Sequence, residues 1–216
     1  MGNPMPYDML IFDLDGTLSD PKEGIVHSTN YALAAYGYEA LSPEAVEVFI
    51  GPPLDDAFRH ITGLDDADRL AALITKYRED YARRGYAANI LYPGIATALE
   101  TLDRNGIRMS VCTSKRVDFA EAILKLHRIW DYFDFVDGGD VGIRKWQQLQ
   151  ALLESGILPE NSVMIGDRDI DLLAAHHNGL ASAGVLWGYG SRAELLAHNP
   201  THLLHEPAQL VELIGL

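Results

Sequence analysis

Met9-Leu10-Ile11-Phe12-Asp13-Leu14-Asp15-Gly16-Thr17-Leu18 is the stretch around which the rest of this chain is arranged. Its first four residues form an unbroken apolar run without the alternation of a half-exposed strand, and a turn glycine follows shortly after. That pattern predicts a short parallel strand buried on both faces. Asp13 and Asp15 stand at its carboxyl end, the edge at which open α/β sheets place their ligands. A period of two keeps both carboxylates on one side while the strand lasts. Gly16 then lets the backbone turn and brings its N–H toward whatever they face. Two acids so close repel unless a cation, a shared proton or water lies between them. Taken alone, Asp-x-Asp-Gly-Thr also reads as a solvated turn with a capping aspartate, so the rest of the chain must decide.

At 216 residues the chain holds one large domain or a domain with an insertion. A hydrophobic fraction of 48% supports a buried core, and 22% charged residues exclude the disordered class. A net charge of −14 argues against generic binding to nucleic acid or to an anionic membrane. The single cysteine, Cys112, excludes an internal disulfide, fits a reducing compartment and reads as an inert thiol within an apolar strand. The opening residues 1–8 lack the basic region and long apolar core of a signal peptide, and Pro6 stands where a myristoylation signal has Ser or Thr. No apolar run reaches the roughly 18 residues of a membrane span. The expectation is a cytoplasmic protein whose oligomeric state, monomer or homodimer, is open.

Beyond Leu18, Ser19-Asp20-Pro21 reads as a helix start, with Ile25, Val26, Ala32 and Leu33 at helical spacing and Gly37 as the stop. Ser42-Pro43 opens another helix, and Ile50-Gly51-Pro52-Pro53-Leu54 is a constrained loop because a Pro-Pro pair cannot lie inside a helix. Amphipathic helices are predicted over 55–61 and 66–84, and no strand pattern occurs between Pro21 and Ala88. From Ile90 onward helices alternate with apolar runs at 107–112, 133–137, 162–165 and 181–187, with a final helix over 207–214. This alternation predicts an α/β fold with a doubly wound, parallel, Rossmann-like sheet of five strands. The all-helical stretch interrupts it as an inserted cap, giving a core of 1–20 and 89–216 and a cap of 21–88.

Polar groups recur at the ends of the later strands: Thr113-Ser114-Lys115 after the second, Gly138-Gly139-Asp140 leading to Arg144-Lys145 after the third, and Gly166-Asp167-Arg168-Asp169-Ile170-Asp171 after the fourth. In a parallel sheet these ends share one edge with Asp13 and Asp15. Carboxylates, a hydroxyl, a cation and exposed amides together suit a divalent cation with a phosphate.

On these motifs the chain resembles the haloacid-dehalogenase-type phosphatases with a helical cap, and is similar to phosphoglycolate-phosphatase-like members over nearly its whole length. Asp13-Leu14-Asp15-Gly16-Thr17 fits the family's first motif, Thr113 the second, Lys145 the third, and Gly166-Asp167-x-x-x-Asp171 the fourth. The resemblance implies Asp13 as a nucleophile forming an aspartyl-phosphate, and Asp15 as the acid and then the base. It implies Mg²⁺ held by Asp13, the Asp15 backbone carbonyl and Asp167, with Asp171 orienting the site from behind. Gly16, Thr17, Thr113, Ser114, Lys115 and Lys145 would bind the phosphoryl group. Gly51 and Pro52 resemble the cap loop over the active site, and Arg59 with His60 could reach the far end of a substrate. Trp146 follows Lys145 where family members usually carry proline, so Arg144 and Lys115 rival Lys145 for the cation role.

The implied activity is hydrolysis of a small phosphorylated metabolite, phosphoglycolate-like, with nucleotidase, pyrophosphatase and sugar-phosphate mutase as alternatives. A phosphonatase would need a cap lysine near the loop, and only Lys22 and Lys76 exist there. A dehalogenase would not need Asp15. A receiver-type domain would lack the cap, and a non-catalytic phosphate-binding protein would be expected to lose a carboxylate. Other residues have plainer readings: His27 as a surface side chain, His176 and His177 in a helix's last turn, Asp65, Asp66 and Asp68 at a helix start, and Tyr77, Tyr81 and Tyr86 as packing.

Overall fold

The computed structural model describes residues 7–215, so the reading of the opening residues as free of a leader rests mainly on residues outside the described ones. Strand β1 (Met9–Phe12) is followed by a two-residue strand β2 (Ser19–Asp20) and helices α1 (Lys22–Ala35), α2 (Pro43–Glu47), α3 (Leu54–Thr62) and α4 (Ala67–Asp80). A wide π turn (Tyr81–Gly85) and a 3₁₀ turn (Tyr86–Ala88) lead to β3 (Ile90–Leu91). There follow α5 (Ile95–Arg104), β4 (Met109–Thr113), α6 (Val117–Leu126), β5 (Val136–Gly138) and α7 (Lys145–Glu154). The chain ends with β6 (Ser162–Gly166), α8 (Asp169–His177), β7 (Ala181–Val185), α9 (Arg192–Ala197), β8 (His202–Leu204) and a 3₁₀ segment Pro207–Ile214.

Six strands form one parallel sheet in the order β5-β4-β1-β6-β7-β8. β1 lies inside it, with Leu10 opposite Met109 of β4 on one side and Val163 of β6 on the other. Its lack of alternation is explained by its surroundings, since both faces are covered. Leu10 and Phe12 pack with Leu99 and Leu102 of α5, Ile123 of α6 and Leu210, while Met9 and Ile11 pack with Leu149 of α7 and Ala174 of α8. The sheet order reverses direction between β1 and β6, where a doubly wound sheet opens its crevice.

The sheet has one strand more than the five predicted. β8 is only three residues long and includes His202, so its apolar signal is too short to stand out. Two predicted strands are displaced. The second begins at Met109 and carries Thr113, and the third begins at Val136 because Trp130–Tyr132 is a 3₁₀ turn and Phe133 turns inward against Phe12. The fifth ends at Val185, short of Trp187. The long helix expected over 66–84 gives way at Tyr81 to the π turn.

β2 and β3 pair antiparallel, Ser19 with Leu91 and Asp20 with Ile90, so the chain leaves and re-enters the sheet region through one zipped ribbon. The helices between them build a cluster of their own from Leu33, Phe58, Leu70, Leu73, Tyr77 and Tyr81, joined by Phe119 of α6. Caps follow the sequence: Ser42 accepts from the Ala45 N–H and Asp66 from the Arg69 N–H. Among the described residues no helix is long and apolar enough to cross a membrane.

Ile165 is fully buried at the centre of the sheet, in register with Phe12 and Ala183. Ile165→Ala is therefore expected to cost about 2–5 kcal/mol in urea unfolding. A loss below about 1 kcal/mol would contradict this packing.

Candidate active site

After Phe12 the chain leaves the sheet, with the Asp13 N–H donating to Ile165 O at 2.9 Å. Leu18 and Ser19 N–H both donate to Leu14 O, closing a tight loop. Gly16 sits there at φ +85°, and a Cβ at this position would run into the Asp167 carboxylate. Its N–H donates to Ser19 O at 2.8 Å, which corrects the expectation that it serves a ligand. The N–H groups of Leu14, Asp15 and Ser114, by contrast, have no acceptor among the described residues.

Asp13, Asp167 and Asp171 each bring a carboxylate oxygen within 4.8 Å of the others, and all three are buried. Lys145 lies among them: its ammonium donates to Asp171 and is 3.0 Å from Asp13 Oδ1, an ion pair without hydrogen-bond alignment. Burial alone would depress Lys145, but Asp13 and Asp171 hold it above the ordinary lysine value. Both oxygens of Asp171 are engaged, one by Lys145 and the other by the Arg168 N–H at 3.0 Å, and burial pushes the group up to about 6. Asp167 accepts from the Thr17 hydroxyl at 3.2 Å and the Tyr189 N–H at 2.8 Å. Its affinity for a proton is raised chiefly by burial, then by Asp171 and Asp13.

These groups fit a hard divalent cation. The oxygens are clustered and buried, Asp13 Oδ1 accepts no hydrogen bond, and the raised proton affinity of Asp167 is a demand for positive charge. Thr17 does not reach the crevice; its hydroxyl is spent orienting Asp167. Trp187-Gly188-Tyr189-Gly190 was missed at the sequence level. Gly188 packs against Gly16 O and Asp167 with no room for a Cβ, and the Trp187 indole donates to Thr17 O. The Gly-x-Gly pair after a predicted strand was the available signal.

The crevice is lined on the sheet side by Asp13, Asp15, Thr113, Ser114 and Lys115. Asp15 is 8% exposed; burial raises its pKa, against the opposing pull of Lys115, whose ammonium lies 2.8 Å from Asp15 Oδ2. Asp15 Oδ1 and Ser114 Oγ are buried without partners, and Thr113 Oγ1 accepts from the Lys115 N–H. Lys145 alone among the rival cations meets Asp13. Arg144 turns instead to Asp56 (3.0 Å) and Asp55 (3.6 Å) of α3, and Lys115 pairs with Asp15.

From the helical segment, Gly51 and Pro52 line the crevice as expected. Arg59 does not: its guanidinium reaches Asp56 at 3.1 Å and Asp55 at 3.9 Å on its own helix, as i,i+3 and i,i+4 spacing favours. His60 tilts against Phe49. Tyr77 and Tyr81 pack as expected but also wall the crevice. His27 lies outside it, its Nδ1 2.8 Å from Asp80. Cys112 is buried, and burial pushes its thiol up.

The sequence model of the haloacid dehalogenase-like hydrolases matches residues 10–185. A 5'-nucleotidase of Pseudomonas aeruginosa is 40% identical over 212 residues, 96% of this chain and 96% of that protein. Tyrosine-protein kinase PtkA of Mycobacterium tuberculosis is 36% identical over 95% of this chain and 70% of its own length. The crystal structure of a predicted phosphatase from Clostridium acetobutylicum superposes with a TM-score of 0.91 at 30% identity, covering 97% of this chain and 99% of that one.

Removing the buried ammonium leaves Asp13 and Asp171 facing each other uncompensated. Without added divalent cation, Lys145→Met is expected to lose about 3–5 kcal/mol in urea unfolding. Arg116→Met, which breaks the exposed pair with Asp118, should lose less than about 1 kcal/mol. Equal losses would mean that Lys145 is not the charge on which these carboxylates rest.

Proposed function

The chain belongs to the haloacid dehalogenase-like hydrolase family and is a phosphatase, and on that premise we propose that it hydrolyses small phosphate monoesters with Mg²⁺ through an aspartyl-phosphate. One observation carries this reading. Asp13 and Asp15 share one crevice, each with an oxygen that accepts no hydrogen bond, yet each is compensated by a different lysine. Two carboxylates in two environments can take two roles.

Asp13, held by Lys145, attacks phosphorus in line while the bond to the leaving oxygen breaks. Asp15, whose buried carboxyl retains a proton more readily than a free one, gives that proton to the leaving alcohol. Water then attacks the phosphorus of the aspartyl-phosphate and passes a proton to Asp15, releasing phosphate and restoring Asp13. The hydroxyls of Thr113 and Ser114 and the unengaged N–H groups of Leu14, Asp15 and Ser114 supply donors for the phosphoryl oxygens. Mg²⁺ would be held by Asp13, the Asp15 carbonyl and Asp167, and when bound it supplies positive charge for the phosphoryl oxygens. Asp171, saturated by Lys145 and Arg168, orients the site from behind. Segment 21–88 acts as the cap over a core of 1–20 and 89–216.

This reading favours a substrate with an aromatic ring beyond the scissile ester over phosphoglycolate. The crevice's cap side carries Tyr77, Tyr81 and Phe49, with Phe119 of α6 edge-on to Tyr81. Every cation lining it is already paired among the described residues: Lys115 with Asp15, Arg78 with Asp140, and Arg116 with Asp118. A second substrate carboxylate would find no free partner, whereas a nucleobase would meet an apolar wall on which the half-buried Phe49 ring is the one open to stacking. The 5'-nucleotidase of Pseudomonas aeruginosa points the same way. A nucleoside monophosphate is therefore the substrate class this reading prefers.

With Mg²⁺, phosphate release from nucleoside monophosphates should exceed that from phosphoglycolate, and a chelator should abolish both; the reverse order would overturn the substrate class. Phosphate should appear in step with the alcohol. Transfer to a tyrosine hydroxyl without phosphate release would instead place the chain with the activity in the mycobacterial relative's name. Asp13→Asn should lower turnover at least about a thousandfold with the fold intact. Asp15→Asn should harm substrates with poor leaving groups most. Equal losses across leaving groups would remove its role as acid.

A further inference from the structure

The two carboxylates at the crevice are compensated from different parts of the molecule. Asp13 is held by Lys145, whose own anchor is Asp171, so the nucleophile is assembled wholly within the sheet region. Asp15 is not. Its partner Lys115 also donates to the Tyr81 hydroxyl at 2.8 Å, and its ammonium lies 4.5 Å from the Tyr81 ring centroid. Tyr81 belongs to the helical segment.

We propose that Tyr81 is a positioning residue for the proton carrier, holding Lys115 against Asp15 Oδ2 so that Oδ1 is left as the working oxygen. This rests on the reading of Asp15 as acid and base. A lysine has a long flexible stem and costs about 2 kcal/mol of rotamer entropy to hold in one place. Here the ammonium is almost fully desolvated, its side chain 7% exposed, so each remaining partner counts for more than it would in water. Tyr81 can act as the fixed point because it has no freedom itself. It is 1% exposed, lies parallel to Tyr77 at 5.4 Å and 13°, and meets the Phe119 ring edge-on at 5.1 Å. It opens the π turn, the one place where the helix predicted over 66–84 departs from regular geometry, and Gly85 in that turn packs against its ring with no room for a Cβ. Such single wide turns often mark functional positions.

The consequence is a division of labour. The core supplies the nucleophile ready-made, while the acid and base is completed by a side chain of the helical segment. An aspartyl-phosphate formed with that segment displaced would lack an aligned base for water.

Tyr81→Phe keeps the stack on Tyr77 and the edge contact with Phe119 and removes only the hydroxyl. With Mg²⁺ present, kcat/KM, which reports the step that expels the leaving group and not the later hydrolysis of the aspartyl-phosphate, should fall about tenfold for a simple alkyl phosphate and less than about threefold for 4-nitrophenyl phosphate, because the nitrophenolate leaves with little help from a proton. KM should move by less than about twofold for either substrate. In a Lys115→Gln background the same change should add less than about twofold, because the path to Asp15 is already broken. Equal losses for both esters, no loss for either, or full multiplication of the two substitutions would overturn the proposal. Asp15→Asn measured alongside separates the two readings. If it too shows no leaving-group dependence, Asp15 is not the proton carrier and both fall. If it shows that dependence and Tyr81→Phe does not, only the role of Tyr81 falls.

Discussion

The ion pair of Lys145 with Asp13 and Asp171 is the constraint on which the rest of the site depends. Three carboxylates packed at the ends of β1 and β6 could not coexist in a dry interior without a buried cation. Lys145 supplies it at the first position of α7, and it meets two of them at once. The low dielectric that makes an unpaired group here so costly also makes the paired cluster strongly held. Asp171 uses both oxygens in this network, and Asp167 is held by the Thr17 hydroxyl and the Tyr189 N–H. Asp13 Oδ1, buried 3.0 Å from the Lys145 ammonium, accepts no hydrogen bond.

The helical segment is fastened at points immediately beside this cluster. Arg144, next to Lys145, reaches Asp55 and Asp56; Arg168, next to Asp167, donates to Ile50 O at 2.7 Å just before Gly51. Arg78 of α4 pairs with Asp140 across the crevice. The ribbon of β2 and β3 ties the same segment to the sheet, and the Tyr189 hydroxyl bonds Asp20 within it. Residues that flank the buried charges in sequence therefore also set where the wall of the crevice lies. Such contacts are partly exposed and individually weak, which suits a wall that must admit and release a small molecule.

Much of the fold was legible because its signals are local. The apolar run Met9–Phe12 lies at the predicted residues, and the all-helical stretch between the first and second strands of the sheet is observed. β8 was invisible because three residues carry too little periodicity, and the π turn at Tyr81 because a helical sequence pattern does not reveal where a turn widens. Thr17, Gly16 and Arg59 were misplaced for one shared reason: each residue type suits a phosphate, but each finds a protein partner first. Thr17 donates to Asp167, the Gly16 N–H to Ser19 O, and Arg59 to Asp56.

The sequence by itself determined the order of elements and the strand ends at which carboxylates, hydroxyls and lysines would collect, because periodicity and turn chemistry act over a few residues. Only the tertiary structure decided which of those groups meet. Lys145 rather than Arg144 enters the buried cluster, and Lys115 is shared between Asp15 and Tyr81, residues 66 positions apart in the chain. Pairing across such separations depends on how helices pack onto the sheet and on which charges burial forces together. No local pattern carries that information.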